Sequence, residues 1–275
     1  METVIIVITT IIVLLIVFLW LVFPNKKRTI PISTSYAHRG LHGGQIPENS
    51  LPAFKLASEN GYGVEFDIQL TRDKKIVVFH DNSLLRMGNV DALISDLTYE
   101  ELCKYGIGDT NERIPLLKEV LSTLAGVPVL CEIKPQKSST NTEICSYLVS
   151  ELDDYPGDIC VESFSPFIVK WFKVNRPDFA RGQLSANFIK SKDELQGFSA
   201  FLMTNMLLNF LSRPDFIAYR FTDFSVGLNF CKKVLHCHLL GWTPVGDKER
   251  EQCRANFDGE IFELDIDESA DYFKK

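Results

Sequence analysis

The sequence predicts an α/β fold, a (β/α)8 barrel preceded by one N-terminal transmembrane helix. Three observations predict it. Short apolar runs alternate with helical patterns along most of the chain, which is typical of a parallel sheet with helical crossovers. The chain has 275 residues, and barrels of this kind use about 250 residues as one unit. A long uncharged segment precedes the first strand-like run.

The N-terminal segment at residues 4–23 is uncharged and rich in Val, Ile and Leu. A helix of this length rises 1.5 Å per residue and crosses about 30 Å of hydrocarbon. A cleaved signal peptide, the competing interpretation, needs positive charge before the apolar run, where only Glu2 is charged. Lys26, Lys27 and Arg28 follow the run, so the positive-inside rule places the rest of the chain in the cytoplasm. We predict a single-pass membrane protein with an anchor and linker at 1–34 and a cytoplasmic domain at 35–275.

Nine segments have the composition and length of strands. They are 36–38, 64–70, 76–80, 127–133, 159–164, 182–185, 216–220, 239–245 and 260–264. Nine is one more than the barrel needs. The spacer at 71–74 is too short for a parallel crossover, which takes about ten residues or more. We therefore expect 76–80 to fold back on the second strand as a small hairpin insertion.

Helical patterns separate the strands. They cover 50–60, 98–105, 116–125, 142–153, 167–175 and 192–211. Within the last, residues 198–211 are unusually apolar, with Met203, Met206, Leu207, Phe210 and Leu211 at helical spacing. This spacing favours a helix packed on the barrel, with a lid or a helix resting on a membrane as the alternative.

Composition excludes some classes of function. The formal net charge is −7, and the one dense basic run is Lys26 to Arg28, so the sequence has no electrostatic footprint for nucleic acid. Seven scattered cysteines without a Cys-x-x-Cys pair indicate reduced thiols. No feature of the sequence indicates a protein partner.

Acidic residues lie on two of the predicted strands. Strand alternation puts Glu65 and Asp67 on one face, and Glu132 lies near the end of the strand at 127–133 with Lys134 on its face. Carboxylates that point into a barrel are costly to bury without a cation. An oxygen-only ligand set favours Mg²⁺ or Ca²⁺ over Zn²⁺. We predict a divalent-metal site, with Lys134 free to meet an anionic ligand.

Two histidines, His38 and His80, come at the ends of predicted strands. Imidazoles with a pKa near 6.5 can share the roles of general base and general acid that cleavage of a phosphodiester needs. Arg39 adds a planar guanidinium suited to phosphate oxygens.

Taken in order, the short motifs resemble those of one enzyme family. They are His38-Arg39-Gly40, Pro47-Glu48-Asn49-Ser50, Glu65-x-Asp67, Val78-x-His80-Asp81, Glu132-Ile133-Lys134, Ser163-Phe164 and Trp242-Thr243. This series, spanning about 36–265, resembles the glycerophosphodiester phosphodiesterases. The chain departs from the usual family pattern at Trp242-Thr243-Pro244-Val245 and at the last strand, Ile261 to Asp265.

The resemblance implies a (β/α)8 barrel that hydrolyses glycerophosphodiesters to glycerol 3-phosphate and an alcohol with one divalent metal. It implies roles for ten residues: Glu65, Asp67 and Glu132 as metal ligands, His38 and His80 as the acid/base pair, Arg39 and Lys134 as phosphate contacts, Trp242 as a wall beside the alcohol, and Glu48 and Asn49 as support behind the site.

Two other functions stay open at this point. The N-terminal anchor suggests cleavage of a lysophospholipid at the same phosphodiester, as a lysophospholipase D. A catalytically silent barrel that binds lipid headgroups at a membrane is the alternative from another class, although a binding module has no need for two proton-transfer groups.

Overall fold

Eight parallel strands close into a barrel in the computed structural model, which describes residues 1–25, 35–191 and 195–265. The hydrogen-bonded order is β1-β9-β8-β7-β6-β5-β4-β2-β3, and β1 also pairs with β2, which closes the ring. The strands are β1 (Ser35–His38), β2 (Gly63–Leu70), β3 (Ile76–Val78), β4 (Val129–Ile133), β5 (Ile159–Ser163), β6 (Ala180–Ser185), β7 (Phe216–Arg220), β8 (His238–Val245) and β9 (Gly259–Glu263).

The extra strand β3 is the predicted hairpin. It pairs antiparallel with β2, with Ile68 opposite Val78 and Leu70 opposite Ile76. Each of the other predicted strands is present within two residues of its expected bounds. The prediction of a (β/α)8 barrel with a small hairpin insertion is confirmed.

Helices connect the strands along the described part of the chain. They are α1 (Glu2–Val22), α2 (Leu51–Glu59), α3 (Leu85–Gly88), α4 (Tyr99–Leu102), α5 (Leu117–Leu124), α6 (Glu143–Leu152), α7 (Pro166–Asn175), α8 (Phe188–Ser191), α9 (Gly197–Thr204), α10 (Asn209–Ser212), α11 (Val226–Lys233) and α12 (Gly246–Arg254). Several begin at side chains that accept hydrogen bonds from free backbone N–H groups, as Ser50, Ser165 and Ser225 do for α2, α7 and α11.

The prediction of a single helix at 192–211 is wrong. The structure has α9 and α10 there instead, and residues 192–194 lie outside the described residues. Gly197 and Met206 have positive φ angles of 64° and 58°, so the backbone leaves the helical conformation at both places. The helices α3, α8, α11 and α12 were not predicted.

Two packed regions hold the barrel together. Outward side chains of β2, such as Phe66 and Ile68, pack against surrounding helices in the largest hydrophobic cluster. Inside the barrel, near the ends where the strands begin, a separate buried cluster includes Tyr36, Leu130 and Phe216. Polar inward positions are therefore concentrated at the opposite ends of the strands.

The apolar helix α1 ends against the barrel. Among the described residues it alone is long and apolar enough to cross a membrane by length and composition, a property that signal sequences share. Val22 at its C-terminal end is fully buried with residues of β7, β8 and α11. The sequence predicted a linker from residue 24, yet Pro24 is buried and Asn25 donates a backbone hydrogen bond to Pro214. Residues 26–34 of that linker lie outside the described residues.

Candidate active site

Three carboxylates of β2 and β4 meet inside the barrel, toward the C-terminal ends of its strands. Oxygens of Glu65, Asp67 and Glu132 lie within 4.8 Å of one another, and all three residues are buried. The parallel pairing of β2 with β4 sets Asp67 directly opposite Glu132. Because alternate residues of a strand share a face, Glu65 and Asp67 both point inward.

Two cations partly neutralise this cluster. The ammonium of Lys134 lies 2.6 Å from Oε1 of Glu132 and 3.0 Å from Oδ1 of Asp67. The guanidinium of Arg39 lies 3.4 Å from Oδ2 of Asp67, and the backbone N–H of Arg39 donates to Oε2 of Glu65 at 3.1 Å. The cluster therefore has more buried acidic groups than adjacent cations.

The pKa values of these acids diverge because their neighbours differ. Burial raises the pKa of Glu65 well above its ordinary value, and Asp67 and Glu132 add to the effect. Burial raises the pKa of Glu132 to about 7 despite the charge of Lys134. For Asp67, burial alone would raise the pKa, but Lys134 and Arg39 lower it strongly. A site that raises the pKa of two buried acids while two cations lower that of a third is suited to gaining a further cation.

The donor set fits one hard divalent cation. All three candidate ligands offer oxygen atoms, which Mg²⁺ and Ca²⁺ prefer. Oε1 of Glu65 is buried and accepts no hydrogen bond from the part of the chain that the structure describes. A buried acceptor in this state costs free energy unless a donor or a cation reaches it.

The two histidines stand beside the cluster and each is held by an acid. Nδ1 of His38 lies 2.6 Å from Oε1 of Glu263, and Nδ1 of His80 lies 2.7 Å from Oδ1 of Asp81. A carboxylate at Nδ1 favours the tautomer with the proton there, which leaves Nε2 as the basic nitrogen. Nε2 of His38 is 3.9 Å from Glu65. Burial lowers the pKa of His80, which favours its neutral form.

The turn after β1 positions Arg39. Arg39 and Gly40 have positive φ angles of 55° and 81°, and a Cβ on Gly40 would lie 2.8 Å from the backbone of Ala53 in α2. Glycine is therefore required where the turn passes close to α2. Arg39 Nη1 donates to Glu48 at 2.8 Å, and Asn49 Nδ2 donates to Asp67 at 2.9 Å.

All ten predicted site residues lie in or directly behind one cavity of about 820 Å³. Seven of them line it: His38, Arg39, Glu65, His80, Glu132, Lys134 and Trp242. Asp67, Glu48 and Asn49 contact lining residues or one another from behind. One wall is apolar, formed by Phe164, Leu184 and Trp242, and the rings of Phe164 and Trp242 meet edge to face at 5.7 Å.

The sequence assigned no role to several polar residues of the site. Glu162 lines the cavity, pairs in register with Glu132, and has Oε2 buried without a hydrogen-bond donor among the described residues. Glu263 and Asp81 hold the histidines, and Arg86 joins Asp81 to Glu48. The position of Glu162 near the end of a predicted strand was the one available signal, since strand ends build barrel sites.

Comparison with known proteins gives the chain its family. The model of the glycerophosphoryl diester phosphodiesterase family matches residues 38–194, more than half of the chain. The chain belongs to this family. The match contains all the predicted site residues except Trp242. Members of the family use a divalent metal, in agreement with the acidic cluster.

Curated relatives of this chain carry two kinds of name. A glycerophosphodiester phosphodiesterase of Caldanaerobacter subterraneus is 39% identical over 54% of this chain and 65% of its own length. One from Bacillus altitudinis is 38% identical over 44% of this chain and 47% of its own. Human lysophospholipase D GDPD1 is 35% identical over 49% of this chain and 46% of its own. The chain thus spans less than two thirds of the length of each of these relatives.

Solved structures agree on the fold of this chain. A phosphodiesterase from Oleispira antarctica, in complex with the product sn-glycerol-3-phosphate, has a TM-score of 0.68 at 22% identity, covering 89% of this chain and 98% of that one. A glycerophosphodiester phosphodiesterase from Thermotoga maritima has a TM-score of 0.61 at 24% identity, covering 90% and 98%.

Proposed function

We propose that this chain hydrolyses glycerophosphodiesters to glycerol 3-phosphate and an alcohol, using one divalent cation, Mg²⁺ or Ca²⁺. One observation carries the proposal. Three carboxylates within 4.8 Å of one another share a cavity with two histidines, each of which has a carboxylate at Nδ1. A lipid-binding module has no use for two oriented proton-transfer groups beside a metal site.

Binding of the phosphodiester depends on the charges around the cluster. Glu65, Asp67 and Glu132 would hold the cation, which when bound would supply Lewis-acid polarisation and a lower pKa for the attacking oxygen. With the carboxylates so neutralised, Lys134 and Arg39 are available to the phosphate oxygens. Glu48 keeps Arg39 beside the cavity, and Asn49 fixes the orientation of Asp67.

His38 and His80 handle the protons. One imidazole accepts the proton of the attacking water through Nε2, and the other donates a proton to the departing alkoxide. Glu263 and Asp81 keep Nδ1 protonated on each ring and stabilise the imidazolium that forms. One P–O bond forms and one breaks, so that a diester and water give a monoester and an alcohol.

A second candidate is lysophospholipase D activity at the same site. It is favoured by the apolar wall of Phe164, Leu184 and Trp242, and by the name of the relatives called lysophospholipase D GDPD1. The chemistry is the same, and only the alcohol differs, so an acyl-bearing group would lie against that wall.

The full chain in detergent, assayed against glycerophosphocholine, glycerophosphoethanolamine and a lysophospholipid, tests both candidates. We expect glycerol 3-phosphate from the first two, loss of activity with a chelator, and recovery with Mg²⁺ or Ca²⁺. Glu65→Ala should remove activity, whereas Glu59→Ala on the exposed surface of α2 should not. Turnover that survives full metal removal would refute the metal mechanism. No turnover of any diester by folded, metal-loaded protein would favour the silent lipid-binding barrel.

A further inference from the structure

The junction between α1 and the barrel is built from specific hydrogen bonds. The last carbonyls of a helix lack partners within the helix. Here Arg213 Nη1 donates to the carbonyls of Trp20 and Phe23, at 2.9 and 2.6 Å, and Asn209 Nδ2 donates to that of Val22 at 3.0 Å. A cation at this end also interacts favourably with the helix dipole.

Ring contacts and a backbone bond make the same junction rigid. The ring of Phe18 meets that of Phe230 in α11 at 5.1 Å, and Trp20 lies 4.6 Å from Phe210. The backbone N–H of Asn25 donates to Pro214 at 2.9 Å. An α1 helix held in these ways carries the barrel in one orientation, unlike an anchor on a flexible tether.

The junction lies at the end of the barrel away from the candidate active site. Pro214 comes just before β7 begins at Phe216, whereas Arg220 at the other end of β7 lines the cavity. Strands rise about 3.3 Å per residue, so Pro214 and Arg220, six residues apart, are separated by up to roughly 20 Å. We call the end at which the strands begin the base of the barrel, and the other end its mouth.

The exposed part of α1 is too short to keep the base far from a bilayer. Residues 2–17 are all exposed, and a helix of that length spans about 24 Å. The hydrocarbon core is about 30 Å thick. If α1 crosses a membrane, the docked turn from Phe18 to Val22 must therefore lie at the edge of the hydrocarbon. Trp20, 54% exposed, has the side chain typical of that interface.

The base carries cations and apolar side chains next to the junction. Lys232 and Lys233 directly follow Phe230 and Cys231, both of which pack in the cluster that receives α1. Lys173 donates a hydrogen bond to the carbonyl of Leu211 at 3.1 Å. Partial burial, and then the nearby positive charge of Arg213, lower the pKa of Lys173. Val174 and Val234, at the ends of α7 and α11, are 65% and 54% exposed. In the sequence, Lys26, Lys27 and Arg28 follow Asn25.

We propose that the base of the barrel rests on the surface of an anionic lipid bilayer, through Lys173, Arg213, Lys232, Lys233 and Val234, and that the mouth faces the aqueous phase. Cations near such a surface attract it, and apolar side chains between them enter the headgroup region. Together with the proposed function, this orientation selects a water-soluble glycerophosphodiester as substrate over a lysophospholipid in the same bilayer.

A pair of exposed aromatic side chains at the mouth is the alternative surface for contact with a bilayer. Phe198 and Phe201 of α9 stack at 6.3 Å and are 74% and 46% exposed. Ser185, at the mouth end of β6, donates to the carbonyl of Met203 in the same helix. If this pair entered the bilayer that holds α1, the barrel could not keep the α1 junction described above, because the two lie at opposite ends.

Nitroxide labels on full-length protein in vesicles distinguish the two surfaces. Val234→Cys and Phe198→Cys place a label on the base and on the mouth, in a Cys103→Ser background because the other native cysteines are buried. We expect the label at 234 to collide with oxygen dissolved in the bilayer, and the label at 198 to collide with a water-soluble nickel complex. The reverse pattern, or a water-exposed label at both positions, would overturn the proposal.

Charge reversal tests the lipid chemistry. Each lysine near an anionic surface contributes about 1 kcal/mol, or roughly fivefold in the equilibrium. In vesicles containing phosphatidylserine, Lys233→Glu should therefore move the label at 234 toward water. Lys248→Glu, at an exposed position in α12 near the mouth, should have no effect. Equal effects of the two changes would contradict a base-specific contact.

Activity separates this proposal from the proposed function. In the same vesicles, glycerophosphocholine should be hydrolysed as fast as in detergent, whereas lysophospholipid should be cleaved at least about tenfold more slowly in the bilayer than in micelles. Equal cleavage of lysophospholipid in both would overturn the orientation. Failure to hydrolyse any diester would overturn the proposed function, and the labels would still report the orientation.

Discussion

Nδ1 of His38, at the end of the first barrel strand, lies 2.6 Å from Oε1 of Glu263, at the end of the last. The two residues are 225 positions apart and meet because β1 and β9 pair as neighbours when the barrel closes. For Glu263, burial alone would raise the pKa, but the hydrogen bond and charge of His38 lower it to about 2. The carboxylate therefore stays ionised and fixes the imidazole over the usual range of pH.

We predict that Glu263→Gln lowers kcat about 10- to 100-fold with little change in KM. The amide keeps the shape of the side chain but no longer stabilises a protonated His38, an effect of the size seen for partners behind metal-site histidines. The pH dependence of kcat should change with it, because a neutral amide replaces the anionic partner of the imidazole. Glu251→Gln, on the exposed surface of α12, is the matched control. A Glu263→Gln enzyme with the parent pH profile would show that the contact is only structural.

Gln69 is predicted to position His80. Its side-chain amide, fully buried, donates to the carbonyls of Phe79 at 2.9 Å and Asp81 at 2.7 Å, on either side of the histidine. Gln69→Leu should lower kcat about tenfold or more and reduce the melting temperature, since buried carbonyls lose their donors. Metal affinity measured by calorimetry should stay close to that of the parent. A loss of metal affinity equal to the loss of kcat would place Gln69 in support of the carboxylates instead.

The metal-free protein should lose stability as the pH rises from about 4.5 to 7. Burial raises the folded-state pKa of Glu132 from 4.5 to about 7, so in this interval the unfolded chain ionises first and binds fewer protons. The stabilising contribution is complete below pH 4.5 and disappears as the pH passes 7. His80, with its pKa lowered by burial, has the opposite slope.

Comparison of melting temperatures between the parent and Glu132→Gln isolates this effect. The variant should show a smaller fall with pH in the absence of metal, and saturating Mg²⁺ or Ca²⁺ should stabilise the parent most at the higher pH. Parallel curves for the two proteins would contradict the assignment of a raised pKa to Glu132.

Glu162 is predicted to be a neutral neighbour of the metal ligands. Burial and then the charge of Glu132 raise its pKa well above the ordinary value. A protonated carboxyl resembles an amide, so Glu162→Gln should change metal affinity by less than about threefold, whereas Glu132→Gln should lower it at least about tenfold. Titration with Mn²⁺, followed by electron paramagnetic resonance, measures both. Equal losses would make Glu162 a fourth ligand.

The barrel and its cluster of carboxylates could be predicted because both depend on local pattern. Alternation of side chains along β2 predicted which residues face inward. The short spacer before β3 predicted where the hairpin turns. Glu65 and Asp67 share a face for that reason alone. The motifs then indicated the family, which the comparisons confirm.

The features that were missed depend on contacts between distant segments. Glu263 meets His38 only through closure of the barrel, and α1 is held by Asn209 and Arg213, nearly two hundred residues away in the sequence. The prediction of one helix at 192–211 was wrong because an apolar stripe does not reveal positive φ angles, which Gly197 and Met206 adopt. The carbonyl of Thr204 instead accepts a hydrogen bond from the buried hydroxyl of Tyr219 in β7.

We propose that metal binding and proton transfer belong to different residues around one cavity. Mn²⁺ binding and glycerophosphocholine turnover, measured on the same preparations of His80→Ala and Glu65→Ala, test it most directly. His80→Ala should bind metal within about threefold of the parent and lose turnover by a factor of about 100 or more, whereas Glu65→Ala should lose both. Equal loss of metal affinity and turnover in His80→Ala, or full turnover in Glu65→Ala, would contradict the account.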